Sequence, residues 1–407
     1  MDGKKNIAIF GPHDRFNYGD ILFPIILEYA LNNAGLNNIY LPKYSLVNAD
    51  LSSKGAYPSF SYRKLVKDIN EHKIDVVIIA GGESLSASWH VLFGYINKFY
   101  FYLSKRRWIG PLLKKYDVAR VLLGGKPGYP FCMNKSNFSG SINLIFNSVG
   151  GGIAGYNNEQ KNALQLADHL ALRDEASYHN ALKLNKKALL VPDSAIIISD
   201  VFPRQNLLSD KYIRKEVRQL VERNESYLYF QVNKYISAGS VEVITAQLQR
   251  LGVRSGLKIV LCPTGTAPGH EDDIALRKIY ESLSCCKFLL ESPAIQEIIM
   301  LIANARVCIA SGLHSIITAM SYVVPFEGIG FEGGKLHTYL NTWAVRPFRQ
   351  MSPVDNFYEK VSGLICNDDF IDDYKANTCY QKKLYYESIK KIVDKIKART
   401  RVGDDGK

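Results

Sequence analysis

Short runs of consecutive apolar residues recur along the chain, and most of them end in glycine or polar residues before a helix-like segment. The runs lie at residues 6–11, 74–82 and 142–152 in the first half, and at 226–233, 257–265, 286–292 and 306–311 in the second. Apolar runs of roughly four to eight residues that alternate with helical segments indicate parallel strands buried between helices. The pattern therefore predicts an α/β chain with two doubly wound, Rossmann-like domains.

The length of the chain supports this division, since 407 residues exceed what one hydrophobic core usually organises. We expect a first α/β domain over residues 1–205 and a second over 206–380. A basic amphipathic helix with a frayed end is expected over 381–407. Ligands of such sheets bind beyond the carboxyl ends of the strands, so the loops there are the places to look for chemistry.

Two segments interrupt the alternation. Residues 89–113 are unusually aromatic and close with a basic cluster, which fits either packing between domains or a surface that approaches lipid or a lipid-linked substrate. In the tail, one apolar stripe at helical spacing is flanked by lysines; it consists of Tyr385, Ile389, Ile392, Val393 and Ile396. This stripe predicts a helix docked on the body of the protein, with membrane binding as the alternative.

The formal net charge of +12 indicates an anionic partner, such as a phosphorylated small molecule or an anionic membrane surface. Nucleic acid is disfavoured, because no nucleic-acid-binding motif accompanies the dispersed cations. Seven cysteines without a CxxC pair predict reduced core thiols, with neither a metal site nor disulfides. The chain shows no apolar run long enough to span a membrane and no signal peptide, so we expect a cytoplasmic location.

The loop after the first apolar run carries three candidates. Asn17 and Gly19 suit a loop that needs positive φ, and Asp20 opens or caps the following helix. Helix capping explains Asp20 without any function. An acid at the carboxyl end of a strand can also handle the proton of a substrate hydroxyl.

Glycine clusters follow two later runs, at Gly82 beside Glu83 and at Gly150 with Gly151. Such glycines let backbone amides approach an anion at a helix N-terminus. Arg173, at the end of another run, is either part of a surface ion pair with Asp174 or a planar fork for a phosphate or carboxylate.

The second half adds two histidines. His270 lies in a Gly/Pro-rich loop before a helix, and His314 falls in the first turn of an apolar helix that Ser311 can cap. The positive end of that helix disfavours imidazolium, so a neutral imidazole near an anion site is one interpretation of His314. A structural histidine is the other. Asp193 is interpreted as a capping or structural acid.

Taken in order, these motifs resemble the polysaccharide pyruvyl transferase family. The resemblance covers most of residues 6–330 and rests on the loop of Asn17, SVGGG (148–152), LRDEAS (172–177), VPD (191–193), the loop of His270 and SGLHSIITAMSYVVPF (311–326). It implies two domains of the B-type glycosyltransferase fold facing a central cleft, with the first on the acceptor side and the second on the donor side.

The same resemblance implies a reaction. The enolpyruvyl group of phosphoenolpyruvate is transferred as a ketal onto two hydroxyls of a sugar, in a capsule, exopolysaccharide or cell-wall glycan or its lipid-linked precursor, and phosphate leaves. Phosphoenolpyruvate is then a donor substrate, and neither a cofactor nor a metal is expected. A peripheral position at the inner face of the cell membrane, in contact with anionic lipid, is compatible with it.

The resemblance also assigns roles by motif. Asp20 and His314 are the expected catalytic pair and Arg173 clamps the donor; the further donor contacts are His270, Ser311, Gly312, Leu313 and Ser315. The other cleft candidates are Asn17, Gly19, Gly82, Glu83, Gly150 and Gly151. Gly312 stands where the family usually has arginine, so the missing cation comes from Arg306, Arg346 or Arg349, or the donor pocket differs.

Two alternatives stay open at this stage. A nucleotide-sugar-dependent glycosyltransferase can use the same scaffold, because a fold does not determine its donor. An inactive relative that binds a glycan or phosphate is the second alternative, and Gly312 is the residue that favours it.

Overall fold

The computed structural model describes residues 6–37 and 39–404. Within these ranges eleven strands form two sheets. The strands are β1 (Ile7–Phe10), β2 (Lys43–Tyr44), β3 (Val76–Ile79), β4 (Asn143–Val149), β5 (His169–Leu172), β6 (Leu189–Leu190), β7 (Tyr227–Gln231), β8 (Lys258–Leu261), β9 (Lys287–Leu289), β10 (Val307–Ala310) and β11 (Phe326–Gly328).

Helices connect the strands and cover the sheets. In chain order they are α1 (Tyr18–Asn33), α2 (Tyr62–Asn70), α3 (Trp89–Ile96), α4 (Lys98–Ser104), α5 (Ile109–Lys115), α6 (Val118–Leu123), α7 (Asn158–Gln165), α8 (Glu175–Leu182), α9 (Ile198–Val201), α10 (Arg204–Leu207), α11 (Lys215–Glu222), α12 (Val241–Ser255), α13 (Asp272–Ser282), α14 (Ile295–Ala303), α15 (Leu313–Ser321), α16 (Lys335–Trp343), α17 (Tyr358–Cys366) and α18 (Ile371–Asp404). Short 3-10 helices lie at Ser52–Lys54, Lys135–Asn137 and Ser194–Ile197.

Both sheets are parallel throughout their described pairs. The first has the order β2-β1-β3-β4-β5-β6 and the second β11-β10-β7-β8-β9. The central strands β1, β3, β7 and β10 are buried along their whole length, which explains why they read as continuous apolar runs. The predicted pair of doubly wound sheets is confirmed.

Helix α18 joins the two halves. Its residue Tyr374 donates a hydrogen bond to the Val324 carbonyl at 3.0 Å in the second half, and Asn147 of the first sheet donates to the Tyr385 hydroxyl at 3.3 Å. The predicted apolar stripe of the tail is fully buried. The tail is therefore a docked helix that ties the sheets together, and residues 405–407 lie outside the described ranges.

Replacing Ile389 with alanine should lower the free energy of unfolding by roughly 2–5 kcal/mol, because the side chain is completely buried and its removal leaves a cavity. The exposed neighbour Lys390 provides the control, and Lys390→Ala should change stability by less than about 0.5 kcal/mol. Denaturant unfolding of both variants makes the comparison. Equal, small effects would show that this part of α18 does not contribute to the core.

The aromatic segment 89–113 forms α3, α4 and α5, and part of it does pack inward. Trp89, Leu92 and Tyr100 belong to the hydrophobic core on one face of the first sheet. Phe99, Tyr102 and Trp108 are instead exposed. No helix in the described part of the chain is long and apolar enough to cross a membrane.

Candidate active site

The loops that follow β1 and β8 are hydrogen-bonded to each other across the two halves. Tyr18 donates its backbone N–H to the Thr264 carbonyl at 2.7 Å, and Asn17 forms an antiparallel bridge with Gly265. The Asn17 side chain also lies 3.3 Å from Nε2 of His270. These contacts bring Asn17 and His270, which are 253 residues apart in sequence, to one place at the carboxyl ends of both sheets.

Two cavities meet at this junction. The larger, of about 360 Å³, extends into the second half, and the smaller, of about 270 Å³, extends into the first. Both are lined by Asn17, His270, His314 and Lys335. The larger also contains Gly19, Ser311, Gly312, Leu313 and Ser315, while the smaller contains Asp20, Glu83 and Arg173. Of the predicted cleft residues, only Gly82, Gly150 and Gly151 line neither cavity.

Asp20 lies in the first turn of α1, and its carboxylate Oδ2 is 3.5 Å from Nη2 of Arg15. Burial raises the pKa of this carboxyl, although Arg15, His314 and Lys335 act in the opposite direction. Nδ1 of His13 lies 2.9 Å from the Asp20 carbonyl oxygen, which fixes the backbone of the turn. Asp20 is thus a fixed carboxyl group that retains its proton to higher pH than an exposed aspartate does.

His314 is the second residue of α15 and lies between α1 and the loop after β6. An ideal Cβ at Gly19 would lie 1.7 Å from the imidazole Nδ1, so only glycine at position 19 leaves room for this ring. The Phe23 ring packs edge-on against the imidazole with centroids 5.2 Å apart. The histidine is therefore held in place by its neighbours, and its location between the cavities places it at the centre of the site.

Asp193 connects His314 to Arg173. The Oδ2 atom of Asp193 accepts a hydrogen bond from Nη1 of Arg173 at 3.0 Å, and it lies 3.6 Å from Nε2 of His314, longer than a hydrogen bond. Burial would raise the pKa of Asp193, but His314 and Arg173 together hold it at about 2. This carboxylate is consequently charged at all physiological pH values and faces the imidazole.

Asp193 has a second role beside the capping role expected from the sequence. It does cap the 3-10 helix that follows, since its side chain accepts a hydrogen bond from the Ala195 amide. Its second role as the partner of His314 depends on residues 121 positions apart and could not be seen in a local pattern. The only signal available was its position as one more acid at a strand end.

Arg173 is fully engaged by the protein. Its Nη2 atom donates to Glu83 at 2.7 Å, and its Nη1 atom donates to Asp193. Burial would lower its pKa, but the two carboxylates raise it. Two anions of the protein already compensate the guanidinium charge, so Arg173 acts first as the anchor of Asp193 and Glu83.

Several glycine assignments require correction. Asn17 has φ of −136° and Gly19 is helical, so neither uses positive φ, and the requirement at Gly19 is space for His314. Gly82 and Gly151 do have positive φ. The amide of Gly150 donates to the Gly82 carbonyl at 2.8 Å, and neither cluster leads directly into a helix. An added Cβ would lie 3.6 Å from Oδ1 of Asp20 at Gly82 and 2.6 Å from Nε of Arg173 at Gly150, so these two glycines lie against those side chains, and neither cluster is at a helix N-terminus as predicted.

Gly312 has an ordinary extended backbone, with φ of −84° and ψ of 123°, so glycine is not required there for its conformation. An added Cβ would instead lie 2.9 Å from Oε1 of Gln231, which accepts the Gly312 N–H at 2.9 Å. Gln231 in turn donates to Asp272 at 2.7 Å. A buried glutamine therefore occupies the space beside Gly312, and an arginine at this position must displace it.

The helix containing His314 has Gly312 as its N-cap, without a side-chain cap. Ser311 does not cap it as predicted, because its hydroxyl accepts the Asn233 N–H at 3.0 Å. Leu313, His314 and Ser315, the first residues of α15, line the larger cavity, where the positive end of the helix dipole favours an anion.

The three arginines considered as replacements for the missing cation lie elsewhere. Arg306 donates to the Ile365 carbonyl and pairs with Asp368, Arg349 donates to the Ala344 carbonyl, and Arg346 is exposed. None of them lines either cavity. The cations that do are Lys335 and Arg15 together with Arg173, and Lys335 is the one shared by both cavities.

Two further titratable groups complete the larger cavity. Burial lowers the pKa of His270 to about 3, so its imidazole is neutral at physiological pH. Burial raises the pKa of Asp272 to about 6, although its hydrogen bonds from Thr264, Gln231 and Gly265 oppose the shift. His270 is thus suited to hydrogen bonding with a substrate and not to pairing with its charge.

Outside the site, all seven cysteines are free. Cys132, Cys262 and Cys308 are buried as predicted, whereas Cys286, Cys366 and Cys379 are exposed. Among residues 6–37 and 39–404, no group of three or more His, Cys, Asp or Glu side chains is arranged to hold a metal ion.

The part of the chain that contains the site residues matches the sequence model of a known family. A sequence model described as polysaccharide pyruvyl transferase matches residues 17–331, which include the loop of Asp20 and the helix of His314. The chain belongs to the polysaccharide pyruvyl transferase family. The protein is therefore a transferase of a family that acts in polysaccharide synthesis.

Several solved structures of other proteins have the same architecture. The UDP complex of MnaA from S. aureus aligns with 98% of this chain and 97% of its own, at 14% identity and a TM-score of 0.56. UDP-GlcNAc 2-epimerase from Neisseria meningitidis, bound to UDP-GlcNAc, aligns with 96% and 98% at 14% identity and a TM-score of 0.54. Anabaena HepE in complex with UDP and glucose aligns with 97% and 99% at 10% identity and a TM-score of 0.51.

At these identities the likeness establishes the fold alone, which is two Rossmann-like domains of the B-type glycosyltransferase kind. No curated protein matches the chain in a sequence search.

Proposed function

We propose that the protein transfers the enolpyruvyl group of phosphoenolpyruvate onto two hydroxyls of one sugar, forming a cyclic ketal and releasing phosphate. The acceptor sugar belongs to a surface glycan or to its lipid-linked precursor. The observation that carries the proposal is the cluster of Asp20, His314 and Lys335 at the meeting point of the two cavities, in a chain of this family.

The chemistry requires a proton donor to carbon. Protonation of the methylene carbon of phosphoenolpyruvate leaves a cationic centre at C2, to which one sugar hydroxyl adds; phosphate then leaves and the second hydroxyl closes the ring. Asp20 suits the role of the acid, because burial raises the pKa of its carboxyl group, which therefore holds its proton to higher pH than an exposed aspartate does. Of the two hydroxyl protons released, one restores the acid and the other leaves with phosphate.

His314 is proposed to contact the donor and to carry the proton of the attacking hydroxyl. The charged Asp193 stabilises the imidazolium that forms when the ring accepts this proton. Arg173 and Glu83 keep Asp193 in position and need not contact the substrate. No cofactor or metal is assigned a step in this scheme.

We place the donor in the larger cavity, next to the junction. The first turn of α15 presents backbone N–H groups there, and Ser311 and Ser315 contribute hydroxyls. Lys335 supplies the positive charge that the family obtains from arginine at position 312. The acceptor sugar then enters through the smaller cavity, where Ser84, Ser86 and Tyr95 provide hydroxyl groups and an aromatic face.

Replacing Lys335 with alanine should raise the KM for phosphoenolpyruvate about tenfold or more, since a charge-assisted contact contributes roughly 1.5–3 kcal/mol. Lys335 is exposed, so the melting temperature should not change. Lys335→Arg should retain most of the affinity, and Arg349→Ala should leave the KM unaltered. A raised KM in Arg349→Ala, with no change in Lys335→Ala, would contradict the proposal that Lys335 supplies the positive charge for the donor.

The function itself is tested by incubating the protein with phosphoenolpyruvate and a panel of simple galactosides and N-acetylhexosaminides. Release of phosphate that requires both the donor and a sugar supports the proposal. Release of nucleotide from UDP-sugars under the same conditions would favour a glycosyltransferase, and turnover of neither donor would favour a binding protein.

A further inference from the structure

The helices α4, α5 and α6 present an unusual surface, which we call the α4–α6 surface and define as the exposed side chains of residues 98–123. Trp108 and Phe99 are 77% and 72% exposed, and several other apolar side chains are more than a third exposed. These others are Tyr102, Ile109, Leu112, Tyr116, Val121 and Leu122. A soluble surface rarely gathers so many large apolar groups without a partner.

The apolar side chains follow helical spacing. Phe99 and Tyr102 are three residues apart on α4, while Ile109, Leu112 and Tyr116 share one side of α5. The helices are packed on one another, with α4 contacting α3 and α5, and α5 contacting α6. The exposed groups are therefore held on a folded helical unit.

Cations surround these groups. Residues 98–123 contain seven, at Lys98, Lys105, Arg106, Arg107, Lys114, Lys115 and Arg120, and a single acid, Asp117. The resulting +6 is half of the formal charge of the whole chain. Asp117 pairs with Arg120, which leaves the other six cations, all exposed, facing solvent. Arg107 also lies over the Trp108 ring, 5.3 Å from its centroid.

We propose that the α4–α6 surface binds the face of an anionic lipid bilayer. Aromatic and aliphatic side chains enter the headgroup region, and lysines and arginines pair with anionic headgroups. A second copy of this chain fits less well, because a symmetric contact through this surface would set the same cations against one another. The charge thus selects a lipid surface among the partners that could cover the apolar groups.

The location of the surface gives it a function at the active site. Helix α3 packs against α4 and α6, and its residues Val91, Leu92 and Tyr95 line the smaller cavity. A bilayer bound at the α4–α6 surface therefore lies next to the opening for the acceptor. This last step rests on the proposed function, whereas membrane binding itself does not.

The test is flotation of the purified full-length protein with vesicles of phosphatidylcholine alone, or of phosphatidylcholine and phosphatidylglycerol in equal parts. Binding is expected only to the second kind and should weaken as salt is raised. Each cation near an anionic surface contributes roughly fivefold, so Lys105→Glu/Arg106→Glu/Arg107→Glu should reduce partitioning by about a hundredfold or more. Phe99→Ser/Trp108→Ser should weaken binding at high salt as well.

The control variant carries an equal charge change on another basic face of the molecule, on α18: Lys383→Glu/Lys390→Glu/Lys391→Glu. It should bind vesicles almost as well as the parent. Melting temperature and turnover of a water-soluble acceptor should be unchanged in all three variants. The proposal is overturned if the parent ignores anionic vesicles, or if the α18 variant loses as much binding. It is also overturned if Phe99→Ser/Trp108→Ser only dissociates a dimer. Binding without turnover of any acceptor would contradict the proposed function and leave this inference standing.

Discussion

Asp20→Asn is expected to reduce kcat for pyruvyl transfer by roughly 10²- to 10⁴-fold while the protein stays folded. The amide has nearly the shape of the carboxyl group but cannot deliver a proton to the methylene carbon of the donor. The KM for phosphoenolpyruvate should change little, because we propose that Lys335 and the first turn of α15 bind the charge of the donor. Steady-state kinetics and a melting curve measure both effects.

The pH dependence of the activity is an independent test of Asp20 as the acid. As the proposed acid, Asp20 acts in its protonated form, and burial raises its pKa, so the activity of the parent should be present at low pH and fall as pH increases through that pKa. Asp20→Asn should lose this limb of the profile. Asp273, an exposed acid in the first turn of α13, is the matched control, and Asp273→Asn should keep both rate and profile. An unchanged kcat in Asp20→Asn would exclude Asp20 as the acid.

Gly19→Ala is expected to be nearly as inactive as His314→Ala, although it adds a single methyl group outside the reacting atoms. The new Cβ would lie 1.7 Å from Nδ1 of His314, so the ring must move. Phe23 and Asp193 confine it on other sides. A displacement of about 1 Å costs roughly a hundredfold in rate, and overpacking costs about 1–3 kcal/mol of stability.

Gly363 provides the control for this substitution, because it is also a helical glycine but has no atom within 4 Å of an added Cβ. Gly363→Ala should be fully active and more stable by about 0.5–1 kcal/mol, from helix propensity. Measuring the steady-state kinetics and the unfolding free energy of Gly19→Ala and Gly363→Ala separates the steric effect on His314 from the effect of helix propensity. Full activity in Gly19→Ala would show that His314 need not occupy its present position.

The architecture was largely predictable from the sequence, for a physical reason. Central strands such as β3 and β10 are buried on both faces, so their sequences are continuously apolar and can be recognised without any tertiary information. The short strands β2, β6 and β11 have only two or three residues, and no periodic signal can develop over that length. The boundaries of the two domains, at residues 1–205 and 206–380, stay a prediction.

The site was predictable as a set of strand-end residues but not as a set of contacts. The closeness of His314 to Gly19, its pairing with Asp193, and the use of Gln231 to fill the space beside Gly312 all join residues far apart in sequence. Lys335 carried no local signal, because it is an exposed lysine at the start of a helix. Arg306, Arg346 and Arg349 line neither cavity, whereas Lys335, at the start of α16, lines both.

In the proposed reaction a proton is added to the methylene carbon of phosphoenolpyruvate, and the oxygens of two sugar hydroxyls are bonded to its C2. The most direct test of this reaction is the NMR spectrum of the acceptor after reaction with phosphoenolpyruvate in D₂O. We expect a new signal from the methyl group attached to the ketal carbon, with deuterium incorporated into that methyl group, and loss of both this signal and the phosphate release in Asp20→Asn. Vinyl protons on the product would instead show an enolpyruvyl ether on one hydroxyl, with no net addition of a proton to the methylene carbon, and that result would contradict the proposed ketal formation.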